Sequence, residues 1–328
     1  MLKDSYGRLH TYLRISVTDR CNLNCRYCMP PGGIALVDRR QILRPEEIGQ
    51  IAQLFADLGI GKIRLTGGEP LIRRGLDVIL DHLNTIRPRP ELAITTNGLL
   101  LEGWVDHLAA SGVRGINISL DTLRPDRFTA ITGVDGWPQV WAGVNTALRN
   151  PGIERVKLNV VVQRGVNDDE IDAFARLTQN EALEVRFIEL MPGRWVSWRS
   201  DELVTAAEML ERLPGLVELP GDIAMNAGPA RLYHYPGAAG RVGLISGLSR
   251  PACSGCNRLR LTAQGELLRC LFDAEGLDLR SALRSSVPSA EIADGIKAFL
   301  LGKRYVGMGL VQRNAAVSYS PCLAVVGG

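Results

Sequence analysis

From residue 12 to residue 190 the chain alternates between two hydrophobic periods. Short runs in which apolar and polar residues take turns fall at Tyr12–Val17, Lys62–Leu65, Leu92–Thr95, Gly115–Leu120, Val156–Val162 and Val185–Leu190. A period of two predicts strands. Between them apolar residues recur three and four apart. The first such run opens at Pro45, suited to a first helical turn, carries Ile48, Ile51, Phe55 and Leu58, and stops at Gly59. Others cover Leu76–Ile86, Glu102–Ser111, Pro138–Leu148 and Asp169–Thr178. Six strand-then-helix units predict an α/β fold with a parallel sheet and right-handed crossovers.

The polar positions of these strands carry a second message. Arg14, Ser16 and Thr18 alternate with Leu13, Ile15 and Val17, Asn117, Ser119 and Asp121 with Ile116, Ile118 and Leu120, and Lys157 and Asn159 with Val156, Leu158 and Val160. A parallel sheet covered by helices on both faces reads as nearly continuous apolar runs. One polar face therefore predicts a cavity. A closed eight-stranded barrel fills its interior with bulky side chains, whereas six strands predict a partial (β/α)6 TIM-type barrel with room for ligands. Beyond Trp198 the pattern changes to a helix near Thr205–Leu213 and a Gly/Pro-rich stretch from Pro214 to Gly240. Short strands follow around Arg231–Tyr235, Val242–Ser246, Leu259–Thr262 and Leu267–Cys270, then a helix at Ala290–Leu301. We expect a barrel over residues 1–200 and a C-terminal substrate-binding region over 201–328.

Composition narrows the function classes. The 328 residues are 46% hydrophobic and 22% charged, with a net charge of +3. That balance argues against a nucleic-acid binder driven by phosphate contacts over its whole surface. No run approaches the ~20 apolar residues that cross a bilayer, and Met1-Leu2-Lys3-Asp4-Ser5 lacks the apolar core of an export signal. A cytoplasmic protein is expected.

The seven cysteines change the picture most. Six form two triplets, Cys21-x3-Cys25-x2-Cys28 and Cys253-x2-Cys256-x13-Cys270, and Cys322 stands alone. A disulfide framework does not suit an odd count in a long chain without an export signal. Zinc takes four ligands, and no histidine lies near the first triplet. Three close thiolates suit three corners of a cubane iron–sulfur cluster with one iron left open. On spacing alone the cluster is favoured and zinc stays as the alternative at both triplets. Arg258 and Arg260, two apart on a strand, share one face beside the second triplet, where they read as anion ligands.

The C-x3-C-x2-C loop after the first strand, with Tyr27 before its third cysteine, resembles that of the radical S-adenosylmethionine (SAM) superfamily. Thr66-Gly67-Gly68-Glu69-Pro70, one strand–helix unit later, is similar to the superfamily's GGEP segment. The resemblance implies an open iron that chelates SAM and one-electron cleavage of SAM to a 5′-deoxyadenosyl radical. It implies SAM contacts at Tyr27, Gly68, Ser119 and Met191.

Within the superfamily, Leu13–Asn22, Thr95-Thr96-Asn97-Gly98, Arg186–Pro192 and Cys253–Cys270 with Leu271-Phe272 resemble the GTP 3′,8-cyclase family over nearly the whole chain. From about Gly307 to Val326 the likeness fades, although a terminal Gly327-Gly328 is shared. This implies two 4Fe–4S clusters, ligated by Cys21, Cys25 and Cys28 and by Cys253, Cys256 and Cys270, and GTP contacts at Arg14, Arg64, Thr95, Lys157, Arg258 and Arg260. It implies hydrogen abstraction from ribose C3′ and closure onto guanine C8, giving (8S)-3′,8-cyclo-7,8-dihydroguanosine 5′-triphosphate, the first step of molybdenum cofactor biosynthesis. It further implies a reductant such as flavodoxin or ferredoxin, transfer of product to cyclic pyranopterin monophosphate synthase, a monomer or homodimer, and a catalytic part for Gly327 and Gly328. The residues agree on charge: arginine forks and a lysine suit a triphosphate better than a neutral peptide or lipid. Two rival readings are a peptide-modifying radical SAM enzyme, which would usually carry more C-terminal cysteines, and an iron–sulfur or zinc regulatory module, which needs no GGEP.

Overall fold

The computed structural model describes residues 1–29, 36–191, 199–220, 228–273 and 275–304. A short antiparallel hairpin, β1 (Leu2–Lys3) and β2 (Leu9–His10), precedes the main sheet. The six strands read from the alternation follow as β3 (Tyr12–Ser16), β4 (Lys62–Thr66), β5 (Glu91–Thr96), β6 (Val113–Ser119), β7 (Arg155–Val162) and β8 (Leu183–Glu189). They pair in chain order, each parallel to the next.

The crossovers are α1 (Pro45–Asp57), α2 (Leu76–Thr85), α3 (Val105–Ala110), the pair α4 (Pro125–Thr132) and α5 (Trp137–Arg149), and α6 (Ile171–Asn180). In α1 the periodic residues Ile48, Ile51 and Phe55 are buried, with Pro45 in the first turn. Glu47 Oε2 accepts the Arg44 N–H at 2.7 Å, answering a donor that the start of a helix leaves open. The alternation did not reveal α4, whose buried apolar side chains are only Phe128 and Ile131.

The later residues extend this sheet rather than stand apart from it. After α7 (Ala206–Glu211) come β9 (Val217–Glu218), β10 (Arg231–His234), β11 (Arg241–Ile245), β12 (Arg258–Leu261), β13 (Glu266–Leu268) and β14 (Leu277–Asp278), then α8 (Leu279–Arg284) and α9 (Ser289–Leu301). Strand β11 adds in parallel to β8, and β12 in parallel to β3. The order is therefore β14-β13-β12-β3-β4-β5-β6-β7-β8-β11-β10-β9, and its two edge strands are not joined. This is an open, partial TIM-type barrel with a C-terminal extension built onto both edges. One continuous core of Leu, Ile, Val and Phe side chains lies between sheet and helices. Among the described residues no helix is long and apolar enough to cross a membrane.

Candidate functional site

The polar strand face lines a cavity of about 1480 Å³. Register explains how separate strands assemble its wall. Arg260 of β12 lies opposite Arg14 of β3, which lies opposite Arg64 of β4. Further round, Thr95 of β5 faces Asn117 of β6, then Lys157 of β7, then Glu184 of β8. All of these side chains line the cavity, as does Arg258.

The first triplet sits at the C-terminal end of this wall, in the loop after β3, and Cys21, Cys25 and Cys28 all line the cavity. Its backbone is zipped to the loop after β4: Gly68 N donates to Thr18 O and Glu69 N to Arg20 O, both at 2.8 Å. Only glycine fits so close. A Cβ at Gly67 would meet Thr18 O at 2.6 Å, one at Gly68 would meet Arg20 O at 2.1 Å, and Gly67 has φ +153°. Glu69 then binds the next loop, accepting from Asn97 N at 2.7 Å, Thr96 Oγ1 at 2.7 Å and Leu71 N at 3.0 Å. Asn97 in turn donates to Asn22 Oδ1 at 2.7 Å and to Cys21 Sγ at 3.8 Å. The motifs around Asn22, Gly68 and Asn97 thus form one hydrogen-bonded frame around the thiols.

Other residues at this end come from the same strand termini. Ser119 closes β6 and Met191 lies two residues past β8, packed so that a Cβ on Gly247 would meet its sulfur at 2.5 Å. Tyr27 lines the cavity and gives its hydroxyl to Asp121 Oδ2 at 2.7 Å. Glu189, buried at the end of β8, gathers the loop after β11 by accepting Leu248 N at 2.8 Å and Ser249 N at 2.9 Å.

The second triplet occupies the opposite mouth. Cys253 and Cys256 precede β12, whose first residue Arg258 pairs with Tyr12 at the start of β3, and Asn257 O accepts both Thr11 N and Tyr12 N at 3.2 Å. Cys270 follows β13. A site confined to the C-terminal face, as in other β/α folds, accounts for the first triplet only. The two triplets stand at either end of β3 with the arginine row between them.

Charge is concentrated there. Burial, then the neighbouring guanidiniums of Arg14 and Arg258, push Arg260 down to about 9. Burial likewise lowers Arg14 to about 10, aided by Arg64 and Arg258. Arg64 donates to Tyr12 Oη at 2.5 Å and to Ile94 O at 2.8 Å. Burial and the Arg186 charge bring Lys157 to about 8, although its ammonium is 2.9 Å from Glu184 Oε2. Crowded buried cations of this kind are relieved by an anion. Glu184, which also holds Arg186, and Asn117 and Asn159 line the cavity. The sequence reading placed Asn117 and Asn159 on the polar face that predicts the cavity but gave none of the four a ligand role. The buried amide oxygens of Asn117 and Asn159 accept no hydrogen bond among the described residues, leaving acceptors for a ligand.

The thiols fit iron–sulfur clusters. All six are outside any disulfide, half-buried, and line the same cavity. Among the described residues no three His, Cys, Asp or Glu side chains are grouped as a single metal ion requires, and a four-iron cube holds its thiolates further apart than one ion does. Burial raises the Cys21 and Cys25 thiols. At Cys256 burial is outweighed by Arg258 and Lys303, which bring the thiol to about 7. Cys322, Gly327 and Gly328 lie outside the described residues, as does Pro192.

A family model described as the radical SAM superfamily matches residues 15–178, and one described as Molybdenum Cofactor Synthesis C matches residues 183–306. A GTP 3′,8-cyclase of Pelotomaculum thermopropionicum is 45% identical over 89% of this chain and 90% of its own. Another, from Heliobacterium modesticaldum, is 48% identical over 86% of each. Molybdenum cofactor biosynthesis protein 1 of Dictyostelium discoideum is 39% identical over 96% of this chain and 51% of that longer protein. Among solved structures, Streptococcus suis SuiB bound to S-adenosylmethionine matches with a TM-score of 0.61 and 15% identity, over 96% of this chain and 77% of that one, which is a likeness of fold.

Proposed function

The chain belongs to the radical SAM superfamily and, within it, to the GTP 3′,8-cyclase family, and from that premise we propose how its residues divide the work. The enzyme joins ribose C3′ of GTP to guanine C8, giving (8S)-3′,8-cyclo-7,8-dihydroguanosine 5′-triphosphate, in molybdenum cofactor biosynthesis.

Cys21, Cys25 and Cys28 hold the 4Fe–4S cluster on which SAM binds, and Tyr27, Gly68, Ser119 and Met191 border SAM. When bound, cluster and SAM supply the one-electron cleavage that starts radical chemistry; the protein supplies orientation and shelter from water. The frame from Glu69 through Asn97 to Cys21 ties that loop to its neighbours.

Arg14, Arg64, Arg258, Arg260 and Lys157 take the triphosphate, and Thr95 closes the same wall. Arginine forks match phosphate oxygens with paired donors, and a buried lysine adds a point charge. Cys253, Cys256 and Cys270 would hold a second 4Fe–4S cluster, which would serve to bind the guanine end of the substrate. Two cofactor ends with a cationic span between them let one substrate reach from one to the other. A flavodoxin- or ferredoxin-like protein delivers the electron, and the product passes to cyclic pyranopterin monophosphate synthase.

The observation that carries this reading is the row Arg260–Arg14–Arg64, set side by side between two thiol triplets. The test is anaerobic incubation of reconstituted enzyme with SAM, dithionite and each of the four nucleoside triphosphates. Cyclised product from GTP alone is expected. Product from ATP, CTP or UTP at a comparable rate would contradict it.

A further inference from the structure

We propose that Lys303 is a positioning residue for the second cysteine triplet, and that its ammonium against the Cys256 sulfur raises the reduction potential of the cluster held there. The inference rests on the reading above that Cys253, Cys256 and Cys270 hold a 4Fe–4S cluster.

Lys303 follows α9 and is 3% exposed. Its Nζ donates to Cys256 Sγ at 3.6 Å and to Arg258 O at 2.7 Å. Lysine is almost never fully buried without a partner. These partners are a sulfur and a carbonyl, so among the described residues no carboxylate answers the charge. The Cys256 sulfur is the group placed against it.

The rest of the triplet is braced from the same direction. Arg8 Nη1 donates to Cys253 O at 2.6 Å, and the buried carboxylate of Asp4 holds that guanidinium at 2.7 Å. Asp273 Oδ2 accepts Cys270 N at 3.1 Å and Arg269 N at 2.9 Å, while the Arg269 guanidinium lies 4.4 Å over the Phe299 ring of α9. The N-terminal hairpin and α9, far apart in the chain, thus brace the two segments that carry the second triplet. Lys303 touches the Cys256 sulfur together with the Arg258 side chain, which also hydrogen-bonds it.

The first triplet is treated differently. Cys21 Sγ accepts from the neutral donors Leu23 N at 3.4 Å and Asn97 Nδ2 at 3.8 Å. The carboxylate of Glu69 bears on Cys21 and that of Asp121 on Cys25. Net charge and hydrogen bonds to sulfur set cluster potentials. An added electron at the second triplet meets the buried Lys303 ammonium, which favours reduction there.

The test uses the full chain in a Cys21→Ala, Cys25→Ala, Cys28→Ala background, so that only the second triplet carries iron, titrated anaerobically with the reduced cluster followed by electron paramagnetic resonance. Lys303→Met is expected to lower the midpoint by at least tenfold in the one-electron equilibrium, about 59 mV, and Lys303→Arg to keep it near the parent value. An unchanged midpoint in Lys303→Met overturns the proposal. If that variant retains no iron, Lys303→Gln is read instead by the same criterion. Loss of iron from both neutral variants with retention in Lys303→Arg supports the need for charge; loss from Lys303→Arg as well overturns it. Absence of iron in the background with Lys303 intact would instead refute the second cluster.

Discussion

Tyr27 donates its phenolic hydrogen to Asp121 Oδ2 at 2.7 Å, and the other oxygen of Asp121 accepts Val161 N at 2.8 Å. Two hydrogen bonds on one buried carboxylate tie the cysteine loop after β3 to the ends of β6 and β7, far along the chain. Burial raises Asp121 to about 6, so the pair is maintained against a desolvation cost that the phenol partly offsets.

Tyr27→Phe keeps the ring and removes that donor. Leaving a buried carboxylate short of a partner costs ~1–3 kcal/mol, and the cost falls on the loop that carries Cys25 and Cys28. We expect faster iron loss to a chelator and about tenfold weaker SAM binding, with GTP affinity unchanged. A SAM isotherm equal to wild type would show that the hydroxyl does not position the loop.

Lys157 gives a pH signature. In the free enzyme, burial and then Arg186 bring it to about 8. Phosphate favours the charged lysine, so GTP affinity is expected to fall as pH rises through about 8, where the free enzyme loses that proton. Lys157→Arg, which stays protonated, should flatten the profile. Calorimetric titrations at two pH values either side of 8 decide it, and equal wild-type affinities would remove Lys157 from the triphosphate site.

Glu69 contributes to stability with the opposite sense from a salt-bridged acid. Burial raises it to about 7, against the opposing pull of Asn97 N and Leu71 N. A carboxyl whose folded pKa lies above its unfolded value binds its proton more tightly when folded. Its contribution is therefore full below about 4.5 and is lost as pH rises through about 7. Melting temperatures of wild type and Glu69→Gln between pH 5 and 8 should diverge in slope, with the wild type losing more as pH rises. Parallel curves would contradict this.

Much of the site was legible because its chemistry is local in sequence. The alternation of Arg14 and Ser16, and of Asn117 and Ser119, marked one polar strand face, and Arg14, Asn117 and Ser119 line the cavity. The glycines at 67 and 68 stood out as part of the GGEP-like segment, but their close approach to Thr18 and Arg20 is visible only in the fold. What stayed hidden depends on pairing across long separations. Nothing near Arg258 says that β12 will lie beside Tyr12, or near Arg241 that β11 will lie beside Glu184. Helix α4 had punctuation, Pro125 at its start and left-handed Gly133 at its end, but too few apolar positions to stand out. Lys303 has no motif around it, and only the fold brings its ammonium to Cys256.

The central claim is that the two triplets do different work at the two mouths of one cavity. It is tested most directly by measuring SAM cleavage and GTP cyclisation side by side, anaerobically, in Cys25→Ala and in Cys256→Ala. We predict that Cys25→Ala loses both reactions, while Cys256→Ala still forms 5′-deoxyadenosine from SAM but no cyclised GTP. Cyclisation surviving in Cys256→Ala, or SAM cleavage surviving in Cys25→Ala, would contradict it.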